Sequence, residues 1–110
     1  MILYGLKACD TCRKAMKALA DAGLSVRLAD VREDGVPSDI LERAQAQFGD
    51  ALVNTRSTTW RGLSETDREE PPLDLLARHP ALMKRPLIER EGSLFLGWTK
   101  PTQDALLNGS

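Results

Sequence analysis

The sequence is poor in the residues from which metal centres and aromatic platforms are made. It holds one histidine, His79, and two cysteines, Cys9 and Cys12. A structural zinc site takes four Cys or His ligands, so this composition argues against one, and no metal ligand set is assigned. Aromatic residues make up only 5% of the chain. Trp60, Trp98 and Phe95 are therefore expected as anchors in a helix–sheet interface rather than as a surface on which ligands stack. Neither sign of charge dominates, with 15 basic against 16 acidic residues and a net charge of −1. That balance gives no long-range attraction for nucleic acid, and the small basic clusters at 7–17 and 84–90 read as solvated surface. No apolar run approaches the roughly 18 to 20 residues of a membrane span, and the start of the chain lacks a charged segment followed by an apolar one. A cytoplasmic protein without a membrane partner is expected. At 110 residues, 42% hydrophobic and 28% charged, the chain has the size and composition of a single globular domain.

What is present is concentrated near the start. In Tyr4-Gly5-Leu6-Lys7-Ala8-Cys9-Asp10-Thr11-Cys12-Arg13-Lys14-Ala15 a short apolar run ends and a helical pattern begins, continued by Met16, Leu19 and Ala20 on one face. Cys9 falls at or just before the helix N-terminus, where unpaired N–H groups and the helix dipole favour an anion. Lys7, Arg13 and Lys14 add nearby cations. Cys9 is the candidate nucleophile, with a depressed thiol pKa, and Cys12 the ordinary thiol. The Cys-x-x-Cys spacing lets Cys12 close a disulfide or resolve a mixed disulfide formed on Cys9. Two cysteines at a helix start also suit a small apolar core, which is the plainer reading. Asp10 is expected to cap exposed helix N–H groups.

Along the rest of the chain the apolar periodicity predicts a strand at Met1–Tyr4 ended by Gly5, a helix from about Asp10 to Ala22 closed by Gly23 in the left-handed conformation, and a parallel strand around Val26–Ala29. Ser38 is the expected N-cap of a helix carrying Ile40, Leu41, Ala44 and Phe48 and ended by Gly49. Two or three short helices follow between Leu52 and Pro80. Pro86–Arg90 and Ser93–Trp98 form a hairpin about Glu91-Gly92, and Pro101–Leu107 a last helix ending near Asn108-Gly109. The order predicts an α/β fold: a thioredoxin-like four-stranded mixed sheet flanked by helices, with a helical insertion between the β-α-β and β-β-α halves.

Two further motifs accompany the cysteine stretch in fixed order, Asn54-Thr55-Arg56-Ser57-Thr58-Thr59-Trp60-Arg61 and Leu82-Met83-Lys84-Arg85-Pro86-Leu87-Ile88. Together the three resemble the ArsC/Spx family of arsenate reductase-like proteins, and more narrowly its YffB-like members. The resemblance implies Cys9 as nucleophile, anion-binding arginines at Arg56 and Arg85 assisted by Lys7 or Lys100, and a cis bond at Pro86. It implies no bound cofactor, with glutathione as co-substrate and glutaredoxin as a possible partner. Two departures concern arsenate. Gly5 stands where glutaredoxin-coupled reductases resemble one another in a histidine, and Lys100-Pro101 where they carry another arginine. A missing imidazole and a Lys in place of a forked guanidinium weaken oxyanion recognition. A thiol carboxylate is the occupant expected instead. Spx-type regulators resemble the chain through the same Cys-x-x-Cys, and imply a redox switch that binds RNA polymerase, without direct nucleic-acid contact.

Overall fold

The computed structural model describes residues 1–107. The expected end of the last helix at Asn108-Gly109 lies outside them. The chain forms two compact units, one built from Met1–Asp30 together with the segment from Arg85 onward, the other from Val31–Lys84.

The first unit holds a four-stranded sheet in the order β2-β1-β3-β4, with β1 at Ile2–Gly5, β2 at Arg27–Asp30, β3 at Leu87–Arg90 and β4 at Ser93–Leu96. β1 and β2 run parallel, in a register that sets Leu3 against Leu28 and Gly5 against Asp30. β1 pairs antiparallel with β3, and β3 with β4. The hairpin turn is tighter than glycine alone would suggest, because Glu91 (φ 50°) and Gly92 (φ 86°) both take positive φ. Such paired left-handed residues match the twist of the flanking strands.

Helix α1, Asp10–Asp21, buries Cys12, Ala15 and Leu19 at the spacing of one helical face. It ends as expected: Gly23 (φ 80°) donates to the Ala20 carbonyl at 3.0 Å, and Leu24 to that of Leu19 at 3.0 Å. These bonds satisfy carbonyls that the last turn leaves open. α1 packs on β1 and on the final helix, Lys100–Leu107. Leu3, Cys12, Ala15, Leu19, Ile88 and Leu106 form the core of this unit, all within 1% of complete burial. Phe95 and Trp98 pack against that core but stay partly exposed, so they flank it rather than anchor it.

The second unit is helical. α2 spans Ser38–Phe48 and is followed by a 3-10 turn at Gly49–Leu52. Ser38 is the first helical residue and not the cap. Pro37 occupies that place, since its fixed φ of −53° suits the boundary and its carbonyl accepts the first helical bond from Leu41 at 3.1 Å. Three short helices follow, α3 at Thr58–Arg61, α4 at Glu65–Arg68 and α5 at Pro72–Arg78. Serine caps appear here instead: Ser57 Oγ accepts from the Trp60 N–H at 3.1 Å, and Ser64 Oγ from the Asp67 N–H at 3.1 Å. A second 3-10 turn at Pro80–Leu82 leads to an isolated antiparallel bridge between Val53 and Met83. With the C-terminal helix of the first unit, α6, the order matches the expected helical insertion between two strand-bearing halves.

Candidate active site

The turn Leu6-Lys7-Ala8-Cys9 delivers the nucleophile from strand to helix. The Cys9 N–H donates to the Leu6 carbonyl at 3.1 Å, and the Cys9 carbonyl accepts the first helical bond from Arg13 at 3.0 Å. Cys9 is thus the N-cap of α1, in extended backbone (φ −81°, ψ 120°). At that position a serine or aspartate would aim an oxygen at the second and third N–H groups of the helix. Here a sulfur takes the place. It makes no capping hydrogen bond of full geometry, but the Cys12 and Thr11 N–H dipoles lie close enough to favour its ionised form.

Partial burial pushes the Cys9 thiol up. That effect is outweighed by the Cys12 N–H, the Cys12 thiol, the charge of Arg85 and the Thr11 N–H, and the thiol sits below its ordinary value. Cys12 goes the other way. Burial, then the hydrogen bond and charge of Cys9, raise it to about 11 against the opposing effects of Leu6 and Arg85. The expected ranking of the two thiols appears, with a wider gap than an ordinary Cys12 would give. Both cysteines are free.

The cation acting on Cys9 is Arg85, on the segment entering β3. The Arg85–Pro86 bond is cis and Pro86 is fully buried, its carbonyl accepting from the Gly97 N–H at 2.8 Å. Asp10 does not cap. It lies inside the first turn, where its carboxylate cannot reach back, and it pairs with Arg13 one turn on. Lys7 is exposed beside the turn. Lys100 opens α6 and lies 3.8 Å from Asp104 on the same exposed face.

Arg56 belongs to the second unit. The Val53–Met83 bridge is extended by bonds from the Asn54 N–H to the Leu82 carbonyl at 2.7 Å and from the Lys84 N–H to that of Leu52 at 2.8 Å. This brings Arg56 and Lys84 to one cavity of about 630 Å³, with Asn54 and Thr55 between them and Asp50 on its wall. Lys84 was invisible as a site residue in the sequence, because the pairing that places it is long-range. A neighbouring cavity of about 300 Å³ shares Asp50, Val53 and Thr55 and reaches Trp60. Trp60 is only half-buried, with the Arg68 guanidinium 5.4 Å from its ring centre. No cluster of three or more His, Cys, Asp or Glu side chains placed to hold a metal occurs among the described residues.

A model of the ArsC family matches residues 4–105. The chain belongs to the ArsC family. It is 43% identical over 108 residues to an uncharacterized protein of Haemophilus influenzae, covering 94% of this chain and 95% of the relative. The global transcriptional regulator Spx of Listeria innocua is 27% identical over 105 residues, covering 89% of this chain and 79% of that protein. Among solved structures, the YffB protein superposes with a TM-score of 0.87 at 30% identity, covering 96% of this chain and 97% of its own. The fold of this ArsC-family chain is accordingly the thioredoxin-like mixed sheet with flanking helices. No helix among the described residues is long and apolar enough to cross a membrane.

Proposed function

We propose that this ArsC-family chain is a cytoplasmic thiol oxidoreductase that uses glutathione as co-substrate, with the two units acting as one domain. The observation that carries this reading is the divergence of the two thiols, Cys9 depressed at a helix N-cap beside Arg85 and Cys12 raised to about 11 in the core behind it. A nucleophile must be ionised near neutral pH, and a thiolate with a lowered pKa is both populated and a good leaving group.

In the reaction the Cys9 thiolate attacks one sulfur of a small disulfide. The substrate S–S bond breaks, the departing thiolate takes a proton from solvent, and a mixed disulfide forms on Cys9. Glutathione thiolate then attacks the substrate sulfur of that mixed disulfide, which returns Cys9 as thiolate and releases a glutathionyl product. Arg85 favours the anionic sulfur at both ends of the cycle, and carboxylate recognition falls to Arg85 and Arg56, extended by Lys7 and Lys100. Glutaredoxin can serve as an alternative reductant for the adduct. No bound cofactor or metal takes part in these steps.

A second reading rests on the Spx relative and on the buried Cys12 one turn from Cys9. Under it a Cys9–Cys12 disulfide switches affinity for RNA polymerase rather than closing a catalytic cycle. Mass spectrometry after treatment with oxidised glutathione, combined with steady-state consumption of glutathione in the presence of a small disulfide, separates the two. The enzyme reading predicts oxidation that starts at Cys9, seen as a glutathione adduct or as the disulfide that Cys12 closes from it, together with continuous turnover. A single oxidation event without turnover would overturn it in favour of the switch.

A further inference from the structure

Gly5 is the last residue of β1, and nothing in its backbone calls for glycine, since it is not among the residues at positive φ. Its side of the strand is nevertheless filled. A Cβ built on Gly5 would collide with the Cys12 Sγ, and would also sit 3.3 Å from the Cys12 Cβ and 3.2 Å from the Leu3 Cδ2. The cysteine sulfur thus occupies the space that a side chain at position 5 would take.

The sulfur has little room to move aside. Cys12 is 1% exposed and belongs to one buried core cluster with Leu3, Ala15, Leu19, Ile88 and Leu106, and protein cores are close-packed. The Leu6 backbone, just beyond β1, and the Cys9 thiol are hydrogen-bond partners of the sulfur, and the charge of Arg85 also acts on it. Three constraints therefore fix one atom: a strand without a Cβ, a backbone group next to it and the partner sulfur.

We propose that Gly5 is a positioning residue, whose missing side chain leaves the space in which the Cys12 sulfur is held against Cys9 so that the two can close into a disulfide. The proposal rests on Cys9 being the thiol that is oxidised first. In the closing step the Cys12 thiolate attacks the Cys9 sulfur of a mixed disulfide. The Cys9–S bond to the incoming group breaks, that group leaves as a thiolate, and the Cys12 proton goes to solvent. The lowered Cys9 pKa is consistent with this arrangement, because the Cys12 thiol donates to the Cys9 sulfur. Any side chain at position 5 must push the Cys12 sulfur away from that contact or open the core.

The test uses Gly5→Ala, Cys12→Ala and the double variant, with an aromatic disulfide reagent that loads any accessible thiol and so requires no glutathione activity. Closure is read as release of a second aromatic thiol without added reductant, and Cys9 ionisation as thiolate absorbance against pH. Gly5→Ala should slow closure at least tenfold and raise the Cys9 titration midpoint relative to the native chain. In the Cys12→Ala background the same change should leave the midpoint where Cys12→Ala puts it, because no sulfur remains to be displaced. If Gly5→Ala alone does not fold, recovery of folding in the double variant supports the steric conflict, and failure of both overturns it. Closure at the native rate in Gly5→Ala, or an equal midpoint shift with and without Cys12, would also overturn it. A Cys9 that takes the reagent but never turns over glutathione would count against the proposed enzyme and leave the role of Gly5 standing.

Discussion

The two units solve different problems with different materials. In the first, four strands in fixed register enclose a core that is shut to solvent, and the two sulfurs lie where that core meets the sheet's end. In the second, helices of four to eleven residues are held by local caps and exposed ion pairs such as Arg78 with Glu70, and the walls open into two adjoining cavities. Neither Arg56 nor Lys84 has an ion-pair partner among the described residues, although both line a cavity. Under the proposed function, thiol ionisation is set in the first unit, where packing and backbone dipoles are fixed, and the second unit adds only recognition charge, at the exposed Arg56.

The largest effect that would sharpen this contrast is at the nucleophile. Cys9→Ser should abolish disulfide reduction while leaving the circular dichroism spectrum unchanged, since a hydroxyl at the N-cap fulfils the capping role at least as well as sulfur does. Residual turnover in that variant would move the chemistry elsewhere. Next come the two arginines. Arg85→Ala should raise the Cys9 titration midpoint and lower kcat/KM, by an amount in keeping with the roughly 1–3 kcal/mol of a charged hydrogen-bond partner. Arg56→Ala should raise KM by a similar factor without moving the midpoint. Equal shifts of the midpoint in both variants would erase the division of labour between the units. The smallest effect is structural: Ser57→Ala should cost about 1 kcal/mol of stability, measured by urea unfolding, through the lost bond from the Trp60 N–H. A destabilisation several times larger would show that α3 is more than locally held.

Much of the first unit was legible because its punctuation is local. Gly23 and Gly92 mark the ends of α1 and β3 through backbone conformations that glycine adopts at no steric cost, and the cysteines sit directly after a strand-like run. Ser38 misled, because a proline one residue earlier fills the N-cap with its carbonyl and needs no side-chain oxygen. Asp10 misled for a related reason, being one residue too far into the helix to cap and placed instead at the spacing that meets Arg13. The sparse aromatics suggested core anchors, yet Trp60 lines a cavity and Trp98 and Phe95 only flank the core, which leucines fill. The division into two units, the proximity of Lys84 to Arg56 and the nesting of Cys12 against Gly5 depend on contacts distant in sequence, which periodicity does not report.

The account stands on the two thiols being driven apart, and pH-dependent alkylation read by peptide mass mapping measures that directly. An alkylating reagent captures the thiolate, so each cysteine should become reactive as pH rises through its own pKa. Cys9, depressed, should be modified at and below neutral pH, and Cys12 should stay unmodified in the folded protein until pH approaches about 11. Faster modification of Cys12 than of Cys9 in the native chain, or a single common profile for both, would contradict it.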